Sequence, residues 1–406
     1  MKKIFKAIII MLILFSTINI FNGCMKEKNK NKEYLNILIE GPKESDNDFI
    51  NIMIEEYKKE NQDVNIKIEI SKNIEESRKI LNKNKFDLIF CARNSMIEFS
   101  RKGLLKDIGS IYNSATINLR FYNIVCSYGR YNNTYFGIGL MPYSLSLLSN
   151  KNILGEFLNN NEVLDLNNII KLTSEYNKQI PVVIPKDMSI SLALGSFVAN
   201  NIILDNKLEE NFSDNKSKYM KINEIQKSFS SMNSIIRKLK NNEISFVESD
   251  KKAIFDIKDE KNSLALTTTL SFKDIEQNKN FKIITNILDN KYKISPVVII
   301  DHNLCAFEDG KNEKQINKFF HFVCKDDIYI QLAKKGYISG NAQAVTYLEG
   351  EQRDLMWTIS LANENNIPFY LNLSTKMQKA ILEELNNIMN GNYDGQEWKR
   401  IIEKSF

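Results

Sequence analysis

The sequence predicts an α/β protein built as two lobes behind an N-terminal export segment. Three observations predict it. Strand and helix patterns alternate from Tyr34 to Asp107, the alternation resumes in the second half of the chain, and 406 residues exceed what one hydrophobic core fills. At 43% hydrophobic residues, the chain has enough apolar side chains to bury two cores.

The elements follow in order. Leu35 to Ile39 is an apolar strand, broken at Glu40-Gly41-Pro42. Phe49, Ile50, Met53 and Tyr57 recur at helical spacing, with Ser45 or Asp46 as the cap. Val64, Ile66, Ile68 and Ile70 alternate with Asn65, Lys67 and Glu69, which predicts a strand with one buried face. A helix carries Ile74, Ile80 and Leu81, and Phe86 to Cys91 is a third strand. Ser95 to Lys102 is helical and ends at Gly103, where a left-handed backbone suits glycine. This βαβαβ order implies a parallel sheet. Further on, a helix through Leu166, Ile169, Ile170 and Thr173, a strand Pro181 to Ile184 and a helix from Ser189 to Asn200 imply the second α/β lobe. Ile222 to Leu239 marks a long amphipathic helix, followed by short strands at Ile244 to Val247 and Ala253 to Ile257. Two strands lie between Phe281 and Ile300, broken around Asp289-Asn290. The remainder is helical, with stripes at Ile316, Phe319, Phe320 and Val323 and at Met377, Ile381, Leu385, Ile388 and Met389.

Lys2, Lys3 and Lys6 precede an uncharged, mostly apolar run from Ala7 to Phe21, which breaks at Asn22-Gly23-Cys24. Fifteen helical residues span about 22 Å, short of the ~30 Å hydrocarbon core, which favours a cleaved signal over a permanent span. Residues 1–23 resemble a bacterial lipoprotein signal, in which a cysteine preceded by a small residue is lipidated; Gly23 and Cys24 fit. Removal of Lys2, Lys3 and Lys6 lowers the formal charge from +5 to +2, and a near-neutral chain of interleaved signs lacks the electrostatic footprint of nucleic-acid binding. Residues 24–33 read as a charged tether. Cys91, Cys126, Cys305 and Cys324 are irregularly spaced and too few to staple a chain of this size, so the core must hold the fold; buried free thiols are preferred over one or two disulfides.

From Asn36 to Asp107 the chain runs strand, helix, alternating strand, then Phe86-Asp87-Leu88-Ile89 and Gly103-Leu104-Leu105-Lys106-Asp107-Ile108. Tyr135-Phe136-Gly137-Ile138, Asn150-Lys151 and Lys311-Asn312 follow. Ile316 to Val323 and Gln331 to Ser339 complete the series. In this order and spacing the chain resembles the extracellular solute-binding proteins of family 1, the sugar-binding lipoproteins of ABC importers. The resemblance implies a type II, periplasmic-binding-protein-like fold with a hinge between lobes. It places 34–141 with 286–342 in the N-terminal lobe and 142–285 with 343–406 in the C-terminal lobe. It implies a monomer, tethered to the extracellular face of the membrane through lipid on Cys24, that captures a small solute, a sugar by family, and passes it to importer permease subunits. No cofactor is implied. An alternative keeps the fold in a tethered lipoprotein for protein interaction or signalling. Leu148, Ser149 and Glu248 motivate it, because each replaces a residue the family usually has.

In open α/β sheets, ligands gather outside the carboxyl ends of the strands, where loops and helix N-termini offer unpaired N–H groups. The residues just past the predicted strands are therefore the candidate contacts: Glu40, Ser45, Asn94, Ser95, Tyr143, Ser144, Asp187, Met188, Ser189 and Asp256. For each, a capping or loop role is the plainer reading. A buried sugar needs its hydrogen bonds replaced and a ring to stack on. Of the two tryptophans, Trp357 is the better candidate, with helix packing as its other reading; sixteen tyrosines keep stacking open. Catalysis finds little support. The only imidazoles are His302 and His321, their shared His-x2-Cys spacing to Cys305 and Cys324 is a weak zinc pattern, and there is no Gly-x-Ser-x-Gly elbow or Walker loop.

Overall fold

The computed structural model describes residues 33–41, 48–152, 215–240, 250–259 and 298–406 except 349. It also describes strands at 164–165, 182–185, 245–247, 264–268, 281–284, 287–289 and 292–294. The first lobe opens with β1 (Glu33–Glu40), α1 (Asp48–Glu60), β2 (Val64–Ser71), α2 (Ile74–Leu81), β3 (Leu88–Cys91) and α3 (Arg93–Arg101). Three short helices follow, α4 (Gly109–Ser114), α5 (Ile117–Arg120) and α6 (Asn123–Tyr128). A small hairpin of β4 (Arg130–Tyr131) and β5 (Thr134–Tyr135) and then β6 (Gly137–Leu140) come next.

β1 pairs in parallel with both β2 and β3, as the βαβαβ order requires. It lies inside the sheet, which is why Leu35, Ile37, Leu38 and Ile39 are all buried although they point to both faces. β2 is the edge strand. Val64 is buried, but Ile68 and Ile70 stand 36% and 37% exposed, so the face predicted to be buried is covered over only part of its length. Asp87, at the mouth of β3, is buried. Its carboxylate accepts the backbone N–H of Asn36 at 2.8 Å and of Lys311 at 3.0 Å, tying β1, β3 and a distant segment together. α2 is capped by Asn73, whose side chain accepts from the N–H of Glu76 at 3.0 Å. α3 is followed by Gly103 at φ +66°, the left-handed position expected of it.

The second sheet contains β7 (Tyr143–Asn150), β9 (Val182–Pro185), β10 (Ser245–Val247), β11 (Leu264–Thr268) and β12 (Phe281–Ile284), in the order β10-β9-β11-β7-β12. β8 (Leu164–Asp165), β13 (Ile287–Asp289) and β14 (Tyr292–Ile294) form a small third sheet. Between these strands lie α7 (Lys216–Met220), α8 (Asn223–Lys240) and α9 (Asp250–Lys258). The chain returns through β15 (Val298–Ile299), which pairs with β7, and β16 (His302–Ala306), which enters the first sheet between β3 and β6. The chain closes with α10 (Glu313–Val323), α11 (Asp326–Lys334), α12 (Gly350–Ser360), α13 (Thr375–Met389) and α14 (Glu397–Ser405), with 3-10 turns at Ala344–Tyr347, Glu364–Asn366 and Phe369–Asn372 between them.

Two expectations are corrected. Ala253 to Ile257 is not a strand but the middle of α9: Ile254 and Ile257 are buried at helical spacing while Phe255 is 55% exposed. A short apolar run does not separate the two readings, and the helical period wins here. The stretch from Phe281 to Ile300 is four short strands rather than two, and it does break after Asp289. The helices expected at Leu166 to Thr173 and Ser189 to Asn200 lie outside the described residues. Cys91, Cys305 and Cys324 are buried free thiols and Cys126 is partly buried.

The C-terminal helices are fastened by a partly buried ionic cluster. Arg400 on α14 donates to Glu384 on α13 at 2.6 Å and to Asp394 at 2.7 Å, with Glu384 only 1% exposed. Gln226 on α8 joins them, donating to Glu397 at 2.6 Å and accepting from the N–H of Trp398 at 2.9 Å. In the first lobe, Gly129 sits against β6 with no room for a side chain. A Cβ there would lie 1.7 Å from the carbonyl oxygen of Gly137, a backbone atom that cannot swing aside. Gly129→Ala is therefore expected to cost about 3 kcal/mol or to prevent folding, measured by urea unfolding followed by circular dichroism. An unchanged midpoint would show that this packing is not tight.

Candidate ligand site at the carboxyl edge of the first sheet

β1, β2 and β3 all end at one edge, and β16, running the other way, begins there. Glu40, Ser71, Cys91 and His302 therefore meet at the same edge. Glu40 closes β1 and is 7% exposed. Its carboxyl accepts from Ser95 Oγ at 2.5 Å and from Ser77 Oγ at 2.8 Å, and Ser71 and Ser77 share a hydroxyl contact at 2.6 Å. Burial raises the Glu40 carboxyl above its ordinary range, and the bonds from Ser95 and Ser77 oppose the rise. His302 is 3% exposed, and its Nε2 lies 3.0 Å from the Glu40 carbonyl oxygen, to which an Nε2–H donates. Burial lowers its pKa to about 4, against that bond, so the ring is neutral near pH 7. Nδ1 is then an acceptor, buried and without a partner among the described residues, as is Oδ1 of the neighbouring Asn303.

Arg93, the first residue of α3, is 2% exposed. Its Nη1 lies 3.1, 2.7 and 2.9 Å from the carbonyls of Ser127, Tyr128 and Arg130, capping the end of α6. Its Nε donates to Asn372 Oδ1 at 2.7 Å, and the next residue, Asn94, donates to Thr375 Oγ1 at 3.2 Å. The C-terminal segment thus rests on the edge of the first sheet. Arg130 and Glu364, 3.4 Å apart, add a weaker exposed contact nearby.

The sheets are joined by a pair of antiparallel passages. β6 leads through Met141, at φ +53°, into β7, while β15 leads into β16 alongside. Ile299 stands opposite Tyr143, Val298 opposite Ser144 and His302 opposite Leu140. Tyr143 donates to Asp301 Oδ1 at 2.9 Å and Tyr128 to the Val298 carbonyl at 2.6 Å. Burial pushes both phenols well above their ordinary range, and Asp301 adds to the effect on Tyr143.

The expected contacts are thus distributed unevenly. Glu40, Asn94 and Ser95 gather at the edge. Tyr143 and Ser144 are buried in the passage between the sheets rather than in a loop beyond a strand. Asp256 lies on α9, paired with Lys252 one turn away, and so does not follow a strand at all. Trp357 is 69% exposed on α12, which removes its packing reading, whereas Trp398 is buried and donates from Nε1 to the Tyr219 carbonyl at 2.9 Å. Ser45, Asp187, Met188 and Ser189 lie outside the described residues. Position after a strand does not single out Ser77 or His302, which α2 and β16 bring to this edge. Arg93 lies two residues past the end of β3 and carries the same positional signal as Asn94. His302 and Cys305 lie three residues apart in one strand, hence on opposite faces, and no group able to hold a metal ion occurs among the described residues.

No protein-family model matches the sequence, and no curated protein is significantly similar to it. Solved structures do match. An ABC transporter solute-binding protein from Thermotoga lettingae, bound with α-D-tagatose, is 15% identical with a TM-score of 0.63, over 91% of this chain and 97% of that one. The maltose/maltodextrin-binding domain MalE from Bdellovibrio bacteriovorus, bound to maltotriose, is 13% identical with a TM-score of 0.64, over 92% and 98%. A probable secreted solute-binding lipoprotein from Streptomyces coelicolor is 9% identical with a TM-score of 0.67, over 92% and 98%. The chain therefore has the two-lobed α/β fold of the solute-binding proteins. Its nearly complete coverage of each of these chains means that it carries both lobes and not one.

His302 gives a signed test of the buried edge. Its folded pKa lies below the ordinary value, so its contribution to stability is present above pH 6.5 and is lost as pH falls from about 6.5 toward about 4. Glu40 acts with the opposite sign, but it is common to both proteins compared. Between pH 7 and pH 4 the wild type is expected to lose up to about 3 kcal/mol more than His302→Gln, measured by denaturant titration at each pH. Parallel pH profiles for the two proteins would show that the imidazole is not held neutral by burial.

Proposed function

We propose that this chain captures a small carbohydrate between its lobes and delivers it to an ABC importer, as a lipid-anchored protein on the outer face of the cytoplasmic membrane. The carrying observation is the two-lobed fold, matched over about nine-tenths of the chain by proteins solved with tagatose and maltotriose. The polar edge supports it: buried acceptors on His302 and Asn303 and a protonation-prone Glu40 suit hydroxyl groups better than a charged guest. In this reading a solute touching both lobes stabilises their closure by its differential affinity, the closed form docks on the permease, and no bond is broken. Lipidation at Cys24 and cleavage of residues 1–23 rest on the signal pattern; no helix among the described residues is long and apolar enough to cross a membrane. We place the outward passage between the lobes at Leu140 to Ser144. We place the return passage at Val298 to His302, where β15 pairs with β7.

One observation favours a second reading. Asn372 and Thr375 of the chain itself occupy Arg93 and Asn94 at the candidate edge, as a protein that keeps the fold without transporting a solute would permit. A thermal-shift screen of neutral mono- and oligosaccharides separates the two. Capture predicts a concentration-dependent rise in melting temperature with at least one sugar, and Trp357→Ala is expected to weaken that sugar at least tenfold without altering the unliganded melting point. A melting temperature indifferent to the whole panel would favour the second reading.

A further inference from the structure

β2 ends the first sheet, so one of its sides faces no strand among the described residues. Which groups it presents there follows from its pairing with β1. Ser71 accepts the Gly41 N–H at 2.8 Å, so its N–H and C=O point toward β1, and by the two-residue period those of Asn65, Lys67 and Glu69 do as well. Ile66, Ile68 and Ile70 then turn theirs outward. Val64 agrees with that alternation, since its N–H leaves the sheet for the Asn61 carbonyl at 3.1 Å. At Ile66, Ile68 and Ile70 the strand therefore holds out N–H and C=O groups that have no partner among the described residues.

The side chains divide between the two faces. Ile66, Ile68 and Ile70 stand on one, with Ile68 and Ile70 exposed, and Lys67 and Glu69 stand on the other. Neither charge has an ion-pair partner among the described residues; Glu69 accepts only from Asn84 Nδ2, at 3.1 Å. A lysine on an edge strand ordinarily discourages pairing. Here the opposite charge two residues along makes the strand complementary to itself.

We propose that the free edge of β2 is an interface between two copies of this chain, joined antiparallel about a two-fold axis through Ile68. In that register the outward groups of Ile68 meet those of the second copy's Ile68, and Ile66 meets the second copy's Ile70. Every outward N–H on these three residues then finds an outward C=O. Lys67 stands opposite the second copy's Glu69, and by symmetry Glu69 stands opposite the second copy's Lys67. Both fall at positions between the hydrogen-bonded pairs, where opposed Cα atoms approach to about 4.5 Å and side chains interact most closely. On the other face the isoleucines meet one another, which covers Ile68 and Ile70. Neighbouring registers fail. A slip of one residue sets outward groups against inward ones, and a slip of two sets Lys67 against Lys67 or Glu69 against Glu69. The first sheet would then run without interruption through both copies, in place of the monomer that the resemblance implies.

Sedimentation velocity of the protein at about 1 to 100 µM tests this. A concentration-dependent shift from monomer to dimer is expected. Lys67→Glu alone, or Glu69→Lys alone, puts like charges opposite each other at both symmetric positions and is expected to weaken the dimer about tenfold or more. The double exchange K67E/E69K sets opposite charges face to face again and is expected to restore it. Melting curves of the variants confirm that each folds. Amide exchange at Ile66, Ile68 and Ile70 is expected to slow in the dimer, because these N–H groups gain acceptors. A monomer at every concentration, which would leave the edge to an extended peptide or to another segment of its own chain, would overturn the proposal. So would a dimer that the single exchanges leave intact, or one that the double exchange fails to restore. None of these outcomes depends on whether the protein binds a sugar.

Discussion

The arrangement depends on the two backbone passages that lie side by side between the sheets. Leu140 to Ser144 goes out, Val298 to His302 comes back, and the two are hydrogen-bonded to each other as antiparallel neighbours. A single covalent link would leave the lobes free to separate; a bonded pair confines their motion to bending about one line. Met141, in a left-handed conformation that a side chain rarely adopts, and the buried phenols of Tyr128 and Tyr143 fix where that line runs. Because β16 starts where the returning passage ends, the same pairing also delivers His302 to the ends of β1 and β3.

That coupling explains why the polar groups at the edge are buried rather than solvated. Glu40, Ser71, Ser77 and Ser95 satisfy one another, and His302 leans on the backbone of Glu40. The network is nearly closed, and the atoms it leaves over are acceptors. Unpaired acceptors in a dry setting cost free energy until a donor reaches them, and the hydroxyls of a sugar are such donors. Arg93 and Asn94 instead hold the C-terminal segment. The edge is accordingly divided between residues that lock the lobes together and residues that still lack partners.

Much of the first lobe was legible in the sequence because its signals are local. The apolar run of β1, the stripe of α1 and the glycine after α3 each depend on neighbours a few residues away, and all three formed as read. β2 shows the limit: its alternation fixes a strand, but whether Ile68 and Ile70 are covered depends on what packs over the edge of the sheet. Ala253 to Ile257 failed for a related reason, since five apolar-rich residues fit both periods until the partners of Ile254 and Ile257 are known. At the site, position after a strand found Glu40, Asn94 and Ser95. It could not find His302, which arrives from 262 residues away on a strand of opposite direction. Nor could it foresee that Tyr143 would be consumed by the passage itself.

The most direct test of the proposed capture between the lobes is a crystal structure of the protein grown with the neutral sugar that most raises its melting temperature. The account predicts density for that sugar beyond the ends of β1 and β3, donating to His302 Nδ1 or Asn303 Oδ1 and touching residues of the second lobe. Density lying elsewhere, with the edge still filled by Asn372 and Thr375 and the lobes unmoved, would contradict it.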